Sequence, residues 1–99
     1  MKRALLILTL IIPAVSSAAE NNCPFIAKTA ETIMTLRQSG TPLGRMMEIA
    51  NGQTVYVEFL RSATLEAYGK PRYATVEFQQ RAIQDFRNDW EVSCYKGAK

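Results

Sequence analysis

Hydrophobic residues recur at helical spacing through most of the chain, and the first such stretch begins near Cys23. Pro24 suits the first turn of a helix, and Gly40 directly after Ser39 provides a stop. Apolar side chains return about every 3.6 residues between these limits, at Cys23, Ile26, Ala30 and Ile33. The pattern predicts a first α-helix from this proline to Ser39.

A second, shorter helix is predicted directly after this stop. Thr41 is placed to cap it and Pro42 to occupy its first position. The dipeptide Asn51-Gly52 ends it. Its apolar stripe consists of Leu43, Met46, Met47 and Ala50.

The segment from Gln53 to Tyr68 has two interpretations. Its part Thr54–Leu60 is rich in strand-forming residues and would suit a β-strand. A helix would instead place five apolar residues on one face: Tyr56, Phe59, Leu60, Ala63 and Ala67. Because a single strand would have no sheet to join, we favour a third helix, ended by Gly69 and Pro71.

The last helix carries the clearest pattern. Thr75 can cap it, and Glu77 favours the positive end of the helix dipole. Six residues fall within an arc of about 80° at 100° per residue: Val76, Gln79, Ile83, Phe86, Trp90 and Cys94. Phe78 points about 140° away from Ile83 and therefore either covers a second helix or faces a partner.

The start of the chain has the layout of a secretory signal peptide. Lys2 and Arg3 precede an apolar run, Ala4–Ile12, and small residues follow from Ala14 to Ala19. We predict a cleaved signal peptide at residues 1–18, or 1–19, and a single helical domain at residues 19–99. The alternative is a retained anchor, but the apolar run is roughly 12 residues long even when it is counted on to Val15, whereas about 20 are needed to span a bilayer.

Composition and charge are those of a small globular domain. Of the 99 residues, 47% are hydrophobic and 21% are charged, which argues against disorder. The formal net charge is +3, and it falls to about +1 when Lys2 and Arg3 leave with the signal peptide. A nucleic-acid partner, which would require a clustered positive face, is therefore not expected.

The two cysteines predict one disulfide between Cys23 and Cys94. Export brings them into an oxidising compartment, and a loop of about 70 residues closed in this way gains about 4 kcal/mol in the chain-entropy model. The alternative, a reactive thiol, has neither a CxxC motif nor a histidine to support it. The bridge requires antiparallel first and last helices, and the predicted fold is all-α, a small four-helix bundle or orthogonal helical array closed by one disulfide.

Catalytic chemistry has little basis in this composition. The chain has no histidine, which excludes Ser-His-Asp and Cys-His catalysis. It has no glycine-rich phosphate loop, and most of its carboxylates are spaced as on solvated helix faces. We expect a protein that is not an enzyme and that requires neither a cofactor nor a metal.

Five residues are candidates for binding a partner. Arg37 lies on the apolar stripe of the first helix, where it either binds a partner or covers the helix end. Tyr68, Lys70, Arg72 and Tyr73 surround a turn in which basic residues lie between two tyrosines. This turn is either an ordinary loop or a recognition patch for an anionic or peptide partner, since Tyr and Arg dominate interface hot spots.

Several segments resemble a family of small exported proteins of bacteriophages, prophages and proteobacteria. The resemblance covers the signal peptide, the two cysteines and four segments: Ile33–Gly40, Met46–Glu48, Ala67–Tyr73 and Gln80–Asp89. It implies a phage or proteobacterial origin and a periplasmic location. It assigns a role to no residue.

Two functions follow as hypotheses. The first is a non-enzymatic periplasmic or secreted accessory factor of phage type, which binds and modulates a host envelope or lysis protein. The alternative is a periplasmic stress chaperone that responds to acid through its carboxylates, since the chain has no histidine. In either case the partner is a protein of the cell envelope, a homodimer is possible, and no membrane span is expected after signal cleavage.

Overall fold

Four α-helices make up the computed structural model, which describes residues 22–97. They are α1 (Asn22–Ser39), α2 (Leu43–Asn51), α3 (Val57–Tyr68) and α4 (Val76–Gly97). The part of the chain from 22 to 97 contains no strand, so the all-α prediction is confirmed. The predicted signal peptide lies outside the described residues.

Helices α1 and α4 form an antiparallel pair. The predicted disulfide between Cys23 and Cys94 is present, with the two Cα atoms 5.5 Å apart. Two turns further along α1, the guanidinium Nε of Arg87 lies 3.2 Å from the Glu31 carboxylate. Helix α3 packs against both α1 and α2 and so connects α2 to the α1–α4 pair.

The core combines small and medium side chains with one aromatic ring, that of Phe86. Its buried residues are Ala30, Ile33, Met34, Met46, Ala63, Ala67, Ile83 and Phe86. Trp90 packs edge-on against Phe59 and Phe86, at centroid distances of 5.1 and 6.5 Å, and so joins α4 to α3. Its indole N–H is buried without an acceptor among the described residues, so Trp90 contributes packing rather than a hydrogen bond.

The ambiguous third segment is a helix from Val57 onward. Thr54–Tyr56 belongs to the connection between α2 and α3 and is neither helix nor strand. Tyr56 has a left-handed backbone, with φ of 60°, and its carbonyl accepts the first hydrogen bond of α3 from the Leu60 N–H at 2.9 Å. The left-handed residue turns the chain sharply into the helix.

Two expectations about helix ends are corrected. Thr41 does not cap α2, because Pro42 occupies the N-cap position without a side-chain hydrogen bond. Val76 is 72% exposed rather than part of the buried face of α4. The register that pairs Cys94 with Cys23 places Val76 opposite residue 41, beyond the end of α1, so its partner helix has already ended.

Candidate protein-binding surface

The loop between α3 and α4, residues 69–75, lies against the C-terminal end of α1. Arg37 donates hydrogen bonds from Nε and Nη2 to the Lys70 carbonyl, at 3.2 and 3.0 Å. Its guanidinium also lies over the Tyr68 ring, 5.0 Å from the centroid. Arg37 therefore satisfies a carbonyl of the loop instead of the carbonyls of its own helix end.

Gln38 is the residue that joins α1 to the loop most extensively. Its side-chain Nε2 donates to the Pro71 carbonyl at 2.9 Å, and its Oε1 accepts the Tyr73 N–H at 2.8 Å. The backbone carbonyl of Gln38 in turn accepts a hydrogen bond from Arg72 Nε at 2.9 Å. With only 3% of Gln38 exposed, these bonds are shielded from competition with water.

Gly40 allows the loop to approach α1 this closely. It has a φ of +93°, and its N–H and that of Thr41 donate to the carbonyls of Arg37 and Leu36, both at 3.1 Å. This pattern is a Schellman motif, which favours glycine at this position. A Cβ on Gly40 would lie 3.0 Å from Nη2 of Arg72, so a side chain would also displace the arginine.

Tyr68 connects the same region to the start of α2. Its hydroxyl donates a hydrogen bond to the Thr41 carbonyl. Burial raises the pKa of the Tyr68 phenol, and the nearby Arg37 guanidinium offsets part of this rise. The phenol is therefore held in the protonated form that this hydrogen bond requires.

Two of the predicted residues keep their side chains at the surface. Within residues 22–97, neither the Lys70 amine nor the Tyr73 hydroxyl takes part in a hydrogen bond. The Tyr73 ring is 38% exposed and lies 6.2 Å from the ring of Phe78, which is 48% exposed. The Arg81 guanidinium also lies over the Phe78 ring, 5.5 Å from its centroid.

Exposed residues of the loop and of the start of α4 make up a surface that we name the Tyr73–Phe78 patch: Lys70, Tyr73, Val76, Phe78 and Arg81. Tyr73 lines two depressions of about 230 Å³ each. Lys70 lines one of them and Phe78 the other, and Asp85 lines both. The patch thus combines aromatic rings with groups of both charges and with depressions beside Tyr73.

The structure brings all five predicted residues together, but in two roles. Arg37 and Arg72 hold the loop, and Tyr68 holds the connection between α1 and α2, through hydrogen bonds, while Lys70 and Tyr73 face outward. Sequence analysis did not predict Gln38 and Arg81 as site residues, and it placed Val76 on the buried face. Besides the predicted turn itself, the orientation of Phe78 away from the main stripe of its helix was a sequence signal for the outward-facing surface.

Comparison of the chain with known proteins identifies no relative. No family model, curated protein or solved structure matches the chain. None of the helices described, α1 to α4, is long and apolar enough to cross a bilayer. The resemblance to exported phage proteins stays a prediction.

Proposed function

We propose that this protein is a small, exported, non-enzymatic binding protein whose Tyr73–Phe78 patch contacts a protein of the cell envelope. The observation that carries the proposal is the exposed pair of rings, Tyr73 and Phe78, flanked by the cations of Lys70 and Arg81. Tyrosine and arginine at the centre of a patch are the residue types most often responsible for binding energy.

The rigidity of the loop supports the same function. Tyr73 is fixed through its N–H to Gln38, and its carbonyl accepts a hydrogen bond from Gln79 Nε2 at 2.7 Å. A residue whose backbone N–H and carbonyl are already held by hydrogen bonds loses little backbone conformational entropy when it binds a partner. We therefore place Tyr73 at the centre of the interface.

The charges of the patch do not select an acidic partner. Lys70 and Arg81 are offset by Asp85, which lines both depressions beside Tyr73. Arg81 in addition forms an exposed ion pair with Glu77 at 3.6 Å. The exposed rings are therefore the feature that defines the proposed partner, a segment with aromatic or aliphatic residues.

The disulfide supports a place of action outside the cytoplasm. Structural disulfides persist in oxidising compartments, and the bond between Cys23 and Cys94 is the one covalent link between the described helices. Together with the signal-peptide pattern, it supports a periplasmic or secreted protein. The resemblance to exported phage proteins supports an accessory factor that modulates a host envelope or lysis protein.

The proposal is tested by capture of partners from a periplasmic extract. Tyr73→Ala and Phe78→Ala should each reduce capture at least tenfold, because each removes one of the two exposed rings. Tyr95→Ala is the matched control, since Tyr95 is also an exposed aromatic residue but lies at the far end of α4. Equal capture by all three variants would contradict the proposed surface.

The acid-responsive chaperone remains the second candidate because of one ion-pair cluster. Arg87 lies 3.2 Å from Glu31 of α1 and 3.4 Å from Glu91 of its own helix. The contact with Glu31 joins α4 to α1, and an ion pair requires an ionised carboxylate, so acid conditions would weaken this link. An increase in apolar dye binding between pH 7 and pH 3, absent in Arg87→Met, would favour the chaperone over the accessory factor.

A further inference from the structure

A second site lies on the opposite side of α1 from α4, where α1, α2 and α3 enclose an apolar pocket of about 250 Å³. Its walls include Ile33 and Leu36 of α1, Ile49 of α2 and Leu60 of α3. None of the residues that line it is charged. A charged ligand would lose its hydration in this pocket without gaining an ion pair, so the pocket selects uncharged molecules.

Thr64 is the most deeply buried of the polar residues that line the pocket, which also include Thr29, Thr32 and Gln53. Its side chain is only 2% exposed, and its hydroxyl takes part in no side-chain hydrogen bond within residues 22–97. Among the described residues the fully enclosed side-chain polar atom without a partner is Trp90 Nε1 and not this hydroxyl, so the hydroxyl keeps accessible surface on the pocket side. It can therefore pair with a ligand that enters the pocket.

Phe25 lines the pocket and is supported by Tyr56. Its side chain is about half exposed, and its ring packs on the Tyr56 ring at a centroid distance of 4.9 Å. Tyr56, which has the left-handed backbone described above, belongs to the connection between α2 and α3, so this contact joins the start of α1 to that connection.

We propose that this pocket binds a small uncharged aliphatic molecule whose hydroxyl or carbonyl group pairs with Thr64. A dry cavity of about 150 Å³ accepts the six carbon atoms of benzene, so by the same proportion a pocket of about 250 Å³ accepts about ten, which is enough for a chain of eight carbon atoms. The site is separate from the Tyr73–Phe78 patch and does not depend on it.

The first test is an NMR titration of the disulfide-bonded protein with 1-octanol and with octanoate. Octanol should cause saturable shifts of the methyl groups of Ile33, Leu36 and Ile49. Octanoate, which has the same chain length with a charge, should bind at least tenfold more weakly. Shifts that do not saturate, or equal binding of both molecules, would overturn the proposal.

The second test isolates the Thr64 hydroxyl. Thr64→Val keeps the shape of the side chain and should weaken octanol binding about fivefold, the effect of one hydrogen bond. It should leave the binding of cyclohexane, which forms no hydrogen bond, unchanged. Equal losses for both molecules, or no loss for octanol, would overturn the assigned role of Thr64.

A blocked pocket provides the matched control. Thr29→Phe places a ring from α1 into the pocket and should weaken octanol binding at least tenfold, whereas Thr35→Phe, on the exposed side of the same helix, should change it less than twofold. Equal effects would overturn the proposal. Shifts of the pocket methyl groups that depend on protein concentration without ligand would also overturn it, because a second copy would then be the occupant.

Discussion

The two ends of α1 are fixed to the rest of the protein by different chemistry. At its start, Cys23 is bonded covalently to Cys94 at the end of α4. At its end, Arg37 and Gln38 hold the α3–α4 loop through hydrogen bonds to backbone groups. A disulfide stabilises mainly by limiting the unfolded chain, whereas directional hydrogen bonds define an orientation in the folded one.

This difference corresponds to the location of the proposed binding surface. The Tyr73–Phe78 patch includes part of the loop that is held by hydrogen bonds and continues onto the start of α4. In this region the position of individual side chains matters. The disulfide lies at the other end of the α1–α4 pair, and the Cys94 side is only partly buried. We infer that the link at the start of α1 stabilises the fold, whereas the hydrogen bonds at its end set the orientation of the loop that carries the patch.

Loss of the disulfide should have the largest effect on stability. With a sequence separation of 71 residues, its removal should lower the free energy of unfolding by about 4 kcal/mol in the chain-entropy model. Urea unfolding of the oxidised protein, the reduced protein and the double variant Cys23→Ser/Cys94→Ser measures this loss. The last two should agree, and a reduced protein as stable as the oxidised one would contradict the assigned role.

Gln38→Ala should have the next largest effect, because it leaves the Pro71 carbonyl and the Tyr73 N–H without their partner. We expect a loss of about 2 kcal/mol, since each unsatisfied group costs about 1–3 kcal/mol when buried and water reaches part of this loop. Partner capture should decrease as well, because Tyr73 is no longer held in place.

The matched control for this change is Gln53→Ala. Gln53 also donates from its side-chain amide to a backbone carbonyl, that of Ile49 at 3.1 Å, but the bond is exposed and local to α2. Its loss should change the free energy of unfolding by less than about 0.5 kcal/mol. If both glutamine variants have the same stability, the hydrogen bonds of Gln38 do not hold the loop.

The difference between these glutamines also shows which contacts could not be predicted from the sequence. Helical periodicity predicted all four helices, and the two cysteines predicted the antiparallel pairing of α1 and α4. The side chain of Gln38, however, bonds to groups 33 and 35 residues away in the chain, and no spacing rule connects a glutamine to such distant backbone atoms.

Val76 shows the complementary error. Its place on the apolar stripe of α4 was read correctly from the period, but periodicity does not indicate where the partner helix ends. The extent of a buried face depends on the register between helices, which only the three-dimensional structure supplies. The five predicted partner residues were brought together, yet their division into loop-holding and outward-facing side chains depended on that same register.

Gly40→Ala should destabilise the protein by about 1.5 kcal/mol, because a φ of +93° is unfavourable for alanine. The new Cβ would in addition press on the Arg72 guanidinium. Gly44→Ala is the matched control, since a Cβ there meets no atom within 4 Å and the helix favours alanine. Thermal unfolding should give opposite signs for the two variants, and equal signs would show that the turn tolerates a side chain.

Tyr68→Phe should have the smallest effect, a loss of about 1 kcal/mol at neutral pH, because one hydrogen bond to the Thr41 carbonyl is removed. The folded protein has the higher Tyr68 pKa, so the unfolded chain releases this proton first as the pH rises above about 10. The contribution of Tyr68 is therefore complete below that pH and is lost as the pH rises through the pKa of the folded state. Urea unfolding of both proteins from pH 7 to pH 11 measures the difference, which should shrink at the alkaline end. A difference that stays constant over this range would mean that the phenol proton does not stabilise the junction between α1 and α2.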